Sequence, residues 1–239
     1  MTMQGFSRKE MAELPTRLLR DGRAANARVT CVTWQGREWT VKDFSPRNWK
    51  ECIGMIRTSS RNWWVRTFLA PFLLGHEFKI LQKLEGVEGV ASDSFVIDRH
   101  AIAIAFLPGT PLGKKDPSEV TEEFLTQMES LMQRVHDKGV VHLDTRGTGN
   151  WLVSPEGTPL LIDFQAALTT GWMPASWRRI IELVDMSGVY KKWKQWQPQT
   201  MGAEREALYE EALHWRRKWV FEGYFGKRKR RHAKKKRSY

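Results

Sequence analysis

The stretch His142-Leu143-Asp144-Thr145-Arg146-Gly147-Thr148-Gly149-Asn150-Trp151-Leu152-Val153, followed by Leu160-Leu161-Ile162-Asp163-Phe164, decides the reading of this chain. Its apolar runs, Val140–His142, Trp151–Val153 and Leu160–Ile162, are short and bounded by Gly, Pro and Asp, the pattern of short strands joined by polar loops. Transfer of a phosphoryl group asks for little covalent chemistry. It needs a carboxylate to orient the incoming hydroxyl and accept its proton, oxygen ligands for magnesium, and cations for the charge developing on the phosphate. Asp144, the pair Asn150 and Asp163, and Arg146 match those needs. Magnesium favours such hard oxygens and shares them with substrate phosphates. Taken singly, Asp144 reads equally well as a turn or helix-cap residue.

The ordered set resembles the catalytic loop and metal-binding aspartate of the protein-kinase-like superfamily, H-x-D-x-x-x-x-N followed by D-F-G. Upstream, Thr40-Val41-Lys42 at the end of a hairpin resembles the strand lysine that holds the α- and β-phosphates of ATP. Glu77, in His76-Glu77-Phe78-Lys79-Ile80-Leu81, resembles the helix glutamate that pairs with that lysine. Ile102–Phe106 and Leu107–Leu112 resemble the last N-lobe strand and the hinge, and Asp185-Met186-Ser187-Gly188-Val189 the C-lobe aspartate that braces the catalytic loop. The resemblance implies an α+β, two-lobed protein-kinase-like fold with a small β-rich N-lobe and a reduced helical C-lobe. Residues 1–106 would form the N-lobe, with a Trp/Arg-rich insertion at about 47–75; 107–226 the hinge and C-lobe; 227–239 a basic, disordered tail. It implies ATP and Mg2+ as cofactors, with Lys42 and Glu77 serving the nucleotide, Asn150 and Asp163 the nucleotide and metal, and Asp144 and Arg146 catalysis. Outside that context Lys42 is a strand-end surface lysine and Glu77 a solvated helix glutamate. His142 is expected to pack beneath the loop, without a role as base or ligand.

The departures from the pattern define the branch. Thr145-Arg146-Gly147-Thr148-Gly149 place one residue more than the pattern between Asp144 and Asn150, and Asp163-Phe164-Gln165 lacks the glycine of D-F-G. No G-x-G-x-x-G loop precedes Lys42, and no A-P-E motif follows Asp163. These absences resemble the compact atypical branches: bacterial lipopolysaccharide-core (Kdo/heptose) kinases, RIO-type kinases and the small kinase of tRNA modification. The insertion between Lys42 and Glu77 and the phrase Phe106-Leu107-Pro108-Gly109-Thr110-Pro111-Leu112 look most like the lipopolysaccharide group. The implied acceptor is a hydroxyl on a lipopolysaccharide-core sugar, with a RIO-like Ser/Thr protein kinase as the alternative. A pseudokinase scaffold or an RNA-associated binding module is the alternative from another class.

Farther out, Val29, Cys31 and Thr33, then Trp39 and Val41, alternate with polar residues around Gln35-Gly36, a hairpin signature. Helical spacing appears at 7–20 (Met11, Leu14, Leu18, Leu19, interrupted by Pro15), at Phe78, Leu81 and Leu84, and over Val120–Lys138. Residues from about Trp177 to Phe225 also read as helical. Of the formal net charge of +12, nine Lys or Arg fall within 227–237, so the rest of the chain carries about +3. That tail suits contact with an anionic membrane or RNA, or simple solvation. Trp63-Trp64 beside Arg61 and Arg66 suit a bilayer interface or a buried insertion helix. The longest apolar run, within Phe68–Leu74, is broken by Pro71 and falls far short of the roughly 20 residues a spanning helix needs. The N-terminus lacks a leader's apolar segment, and Cys31 and Cys52 show neither metal-ligand spacing nor a disulfide framework. The expectation is a cytoplasmic protein, peripheral at the inner membrane face if its acceptor is a glycolipid.

Overall fold

The hairpin around Gln35-Gly36 seeds the first lobe. In the computed structural model, which describes residues 5–21, 27–45 and 70–218, strands β2 (Arg28–Trp34) and β3 (Arg37–Asp43) pair antiparallel with Trp34 opposite Arg37. A two-residue loop joins them, with Gln35 at φ 50° and Gly36 at φ 73°. Two positive φ values make the primed turn whose twist matches the strands, and glycine meets that requirement without strain.

The leading helix expected over 7–20 stops early. Ser7 caps α1 (Arg8–Met11) through a capping box with Glu10, but Pro15 cannot continue a helix. Thr16–Arg20 instead form β1, which pairs with β2 as an exposed edge strand. Strands β4 (Ser94–Asp98) and β5 (Ala101–Ala105) complete a five-stranded antiparallel sheet in the order β1-β2-β3-β5-β4. Every residue of β5 is buried, its small alanines allowing close approach of α2 (Ala70–Lys83). Leu74, Glu77, Ile80, Leu81 and Leu84 mark the buried stripe of that segment. A carboxylate on such a stripe must find a partner.

The second, helical lobe follows β5 in the chain. Thr110–Pro111 (β6) joins β8 (Trp151–Val153) and β9 (Pro159–Leu161) in a small sheet, while β7 (Val140–Val141) pairs with β10 (Leu168–Thr169). Helix α3 (Glu122–Asp137) is capped by Thr121 and carries Glu122 and Glu123 in its first turn, both favourable at a helix N-terminus. Helices α4 (Ala175–Trp196) and α5 (Gly202–Lys218) close the lobe. One contiguous apolar cluster runs from Phe6 and Trp39 through Leu84 and Met128 to Trp193 and Tyr209, so the lobes share a core. Cys31 is a buried free thiol. Trp63-Trp64, Cys52, most of the 47–75 insertion and the basic tail lie outside the described residues. Among the described residues no helix is long and apolar enough to cross a membrane.

Trp39 anchors the sheet face: it is fully buried, 4.9 Å from the Phe95 ring, and its indole Nε1 is buried without a partner. Trp39→Ala is expected to cost about 3–5 kcal/mol through the cavity it opens. Trp39→Phe is expected to cost less than half of that, because it removes an unsatisfied donor while keeping a ring. Urea unfolding midpoints of the two variants test the difference.

Candidate active site

Register brings the first half of the site together. Lys42 lies opposite Val29 on β2 and Ile102 on β5, and its ammonium reaches across to α2. Its Nζ donates to Glu77 Oε1 at 2.5 Å and to Asp163 Oδ1 at 2.8 Å. Glu77 Oε1 also accepts from the Phe164 backbone N–H at 3.2 Å, while its Oε2 is buried without a partner. Lys42 is 6% and Glu77 1% exposed, so neither is a solvated surface charge. Burial alone would lower the lysine pKa, but the carboxylates of Glu77 and Asp163 more than offset it and hold the ammonium above its ordinary value. Burial would likewise raise Asp163, but Lys42 foremost, with Arg20 and His142 adding to it, holds that carboxyl below its ordinary range.

The second half is set by the β8–β9 hairpin. Trp151 opposes Leu161, and Ile162 N–H donates to Asn150 O at 3.0 Å, so Asn150 and Asp163 emerge at the same end. Asn150 Nδ2 donates to Asp144 Oδ2 at 2.9 Å and to Asp144 O at 3.1 Å. The extra residue in the loop therefore does not part Asn150 from Asp144. Leu143 (φ 64°) and Asp163 (φ 70°) both occupy the left-handed region, each at a cost of about 1–3 kcal/mol that surrounding bonds must offset. His142 supplies part of that hold. Its Nε2 donates to Ile162 O at 3.0 Å, which leaves Nδ1 to accept from Asp144 N–H at 3.3 Å. Its ring packs 4.7 Å from that of Phe164, which is 1% exposed. The ring thus lies beneath the loop, bonded to Ile162 and Asp144 and packed on Phe164.

Asp185 on α4 braces the loop from below. Its carboxylate accepts from His142 N at 2.6 Å, Leu143 N at 2.9 Å and Thr145 Oγ1 at 3.3 Å, and contacts His136 Nε2 at 3.1 Å. Burial would raise its pKa, but His136 first and His142 after it hold it below the ordinary carboxyl value. Lys192, one turn beyond Gly188, is 1% exposed and donates to Thr145 O at 2.5 Å and Gly188 O at 3.1 Å. Sequence reasoning missed it. Gly188 permits the close approach, since a Cβ there would lie 2.1 Å from Thr145 Oγ1 and 2.7 Å from its carbonyl carbon. Arg20, at the end of β1, was missed too, although its charge reaches Asp163. The six expected residues are thus placed unevenly. Lys42, Glu77 and Asp163 are joined in one set of bonds and Asp144 with Asn150 in another, while Arg146 Nη1 turns to Ser187 Oγ at 3.1 Å.

Among the described residues no group of three or more His, Cys, Asp or Glu could cage a metal ion. Asp163 keeps one oxygen beyond Lys42, and Asn150 engages Asp144 through its nitrogen, leaving its amide oxygen. Such a sparse, hard donor set fits magnesium, which takes one or two protein oxygens and completes its shell with water and phosphates.

The architecture, a five-stranded antiparallel sheet with a helical lobe, is the protein-kinase-like fold. Among solved structures it is similar to the Rio2 kinase from Chaetomium thermophilum, with TM-score 0.54 and 16% identity over 86% of this chain and 74% of that one. It is similar also to the Rio2 kinase-ADP/Mg2+-phosphoaspartate complex from the same organism, with TM-score 0.53 and 16% identity over 86% of this chain and 72% of that one. No protein-family model and no curated protein matches the sequence. The likeness is one of fold.

Two outcomes test the brace. Gly188→Ala is expected to destabilise by about 1–3 kcal/mol through overpacking against Thr145, visible as a lower urea midpoint. Burial first, then the charges of Lys191 and Arg146, pull Lys192 from 10.5 down to about 7. Between those values the unfolded chain holds a proton that the folded chain has released. Stability from this group therefore rises with pH across the window, by up to about 1.4 kcal/mol per pH unit. Lys192→Met is expected to flatten that slope in unfolding measured from about pH 7 to 9.

Proposed function

We propose that this protein is an ATP- and Mg2+-dependent phosphotransferase acting on a hydroxyl acceptor. The observation that carries the reading is the Lys42 ammonium held between Glu77 and Asp163, residues from three distant parts of the chain with no need to meet in a generic α+β domain. Lys42 holds the nucleotide phosphates, and Glu77 fixes its position. Asn150 and Asp163 would hold the magnesium, which would supply positive charge against the phosphates. Asp144, oriented by Asn150, directs the acceptor hydroxyl and takes its proton. Arg146 adds positive charge beside the transferred group. The solved Rio2 neighbour, described with ADP and Mg2+, supports nucleotide use by analogy of fold.

That likeness favours a protein hydroxyl as acceptor, in the manner of a RIO-like Ser/Thr kinase. The alternative, a lipopolysaccharide-core sugar, rests on Phe106–Leu112 and on the Trp/Arg-rich insertion, whose tryptophans lie outside the described residues. A scaffold without transfer is disfavoured, since it has no use for Lys42, Glu77, Asp144, Asn150 and Asp163 in one cleft.

The test is magnesium-dependent ATP binding and turnover by the purified chain, with a protein acceptor and with lipid extract supplied separately. Asp144→Ala is expected to keep Mg·ATP affinity within a few-fold and to lose about a hundred- to ten-thousand-fold in turnover. Asp163→Ala is expected to lose the magnesium dependence of nucleotide binding. A wild-type chain that binds no nucleotide overturns the proposal.

A further inference from the structure

Among the described residues four Lys, Asp or Glu side chains are buried: Lys42, Glu77, Asp185 and Lys192. The first two answer one another, and Asp185 answers His136 and the backbone N–H groups of His142 and Leu143. Lys192, 1% exposed, donates instead to two backbone carbonyls, Thr145 O at 2.5 Å and Gly188 O at 3.1 Å, and its nitrogen lies 5.8 Å from the centre of the Trp151 ring. Carbonyl dipoles and a ring face compensate a desolvated ammonium less fully than a carboxylate does. Neither carbonyl needs the lysine to be satisfied. Thr145 O also accepts from Trp151 Nε1 at 3.0 Å, and Gly188 lies inside α4, where the helix ladder supplies an N–H. Stability alone does not explain a buried lysine at this place.

What the ammonium does is local to one peptide. The Thr145 hydroxyl donates to Asp185 O at 2.7 Å, and Gly188 leaves the space that this approach requires. Trp151 reaches the Thr145 carbonyl from the other end of the loop, so one oxygen ties residue 145 to residue 151 and, through Lys192, both to α4. The stretch between them is less constrained. Gly147 and Gly149 bring no side chains to pack, and a Cβ at Gly149 would meet nothing within 4 Å. Each also brings backbone freedom that the folded loop must lose. A loop of this composition depends on its ends. The Thr145–Arg146 peptide is such an end: Asp144 precedes it, and from it Arg146 turns to Ser187 Oγ at 3.1 Å.

We propose that Lys192 is a positioning residue of the transfer site: its ammonium draws the Thr145 carbonyl toward α4 and so fixes the peptide from which Asp144 and Arg146 diverge. What is positioned rests on the phosphotransferase reading, whereas the hold on Thr145 rests on the bonds themselves. Lys192 lies beneath the loop and sealed from solvent, so it acts through the backbone and touches neither nucleotide nor acceptor. Displacing reacting groups by about 1 Å can cost a hundredfold in rate. A contact that adds nothing to stability is worth keeping on those terms.

The experiment compares the full-length wild type, Lys192→Met, Trp151→Phe and Tyr190→Phe near neutral pH, by urea unfolding, Mg·ATP turnover with the protein and lipid acceptors of the preceding test, and amide hydrogen exchange. Lys192→Met keeps an unbranched side chain and removes the ammonium. It is expected to unfold at or above the wild-type urea midpoint, yet to lose about ten- to a hundredfold in kcat with KM for ATP within a few-fold. Trp151→Phe removes the other donor to the same oxygen and is expected to lower kcat in the same sense. Tyr190→Phe removes a hydrogen bond to Glu129 elsewhere on α4 and is expected to cost stability while holding kcat within about twofold. Amides of residues 143–149 are expected to open about tenfold more often in Lys192→Met, and those of β3 no more often. Wild-type kcat in Lys192→Met, a raised KM for ATP in place of a lower kcat, or failure of that variant to fold overturns the proposal, the last because it makes the lysine a structural requirement. Absence of turnover in the wild type defeats the phosphotransferase reading instead. Hydrogen exchange then decides the hold on Thr145 by itself: faster opening in Lys192→Met upholds it, and unchanged exchange overturns it.

Discussion

The Asp185 carboxylate lies deep in the second lobe, where an ion without donors would cost several kcal/mol. It is satisfied by the backbone N–H groups of His142 and Leu143, by the Thr145 hydroxyl and by His136. Three of those four donors belong to one short loop, so α4 cannot take its place without drawing that loop into a single shape. The left-handed Leu143 is the visible strain of that arrangement. The Thr145 carbonyl, turned inward by the same constraint, accepts from Lys192 and from Trp151 Nε1 at 3.0 Å. Asp144 and Arg146 flank this pinned residue, so both side chains start from a backbone that is fixed beneath them.

The bonds between the lobes play a different part. Buried ion pairs contribute little net stability, because desolvation consumes most of the attraction. What the Lys42 set contributes is register. One ammonium touches a carboxylate from α2 and one from the end of the β8–β9 hairpin, and the glutamate also takes the Phe164 N–H. Sheet, helix and second lobe are thereby indexed to one another at a single point. Two carboxylates on one lysine also leave the cluster with a formal excess of negative charge, and Glu77 Oε2 remains without a partner. A cluster charged in this way favours the arrival of a further cation.

Legibility in the sequence followed the range of the interactions. The Gln35-Gly36 hairpin, the helix over 122–137 and the loop from His142 to Asp163 could be read because spacing and turn chemistry are local. Lys42 and Glu77 could not be read locally, since a strand-end lysine and a helix glutamate look like surface residues; only an ordered resemblance singled them out. Thr16–Arg20 misled because its leucines fall at helical spacing, while an exposed edge strand is held by backbone pairing that leaves little pattern in the side chains. Lys192 escaped because the run Lys191-Lys192-Trp193-Lys194 looks solvated. A signal was nonetheless present: Asp185, Gly188 and Lys192 fall at i, i+3 and i+7, one face of a helix. That face proves to be the one turned to the loop that carries Leu143 and Thr145. A charged residue in register with a helix's buried stripe is more informative than its hydropathy suggests.

Two buried lysines tie these parts together: Lys42 between Glu77 and Asp163, and Lys192 against the Thr145 carbonyl. Lys192 bears on how firmly the loop is held, because its buried nitrogen donates to the Thr145 carbonyl, between Asp144 and Arg146. On the proposed reading its influence on transfer is indirect, exerted through the position of the Thr145 carbonyl.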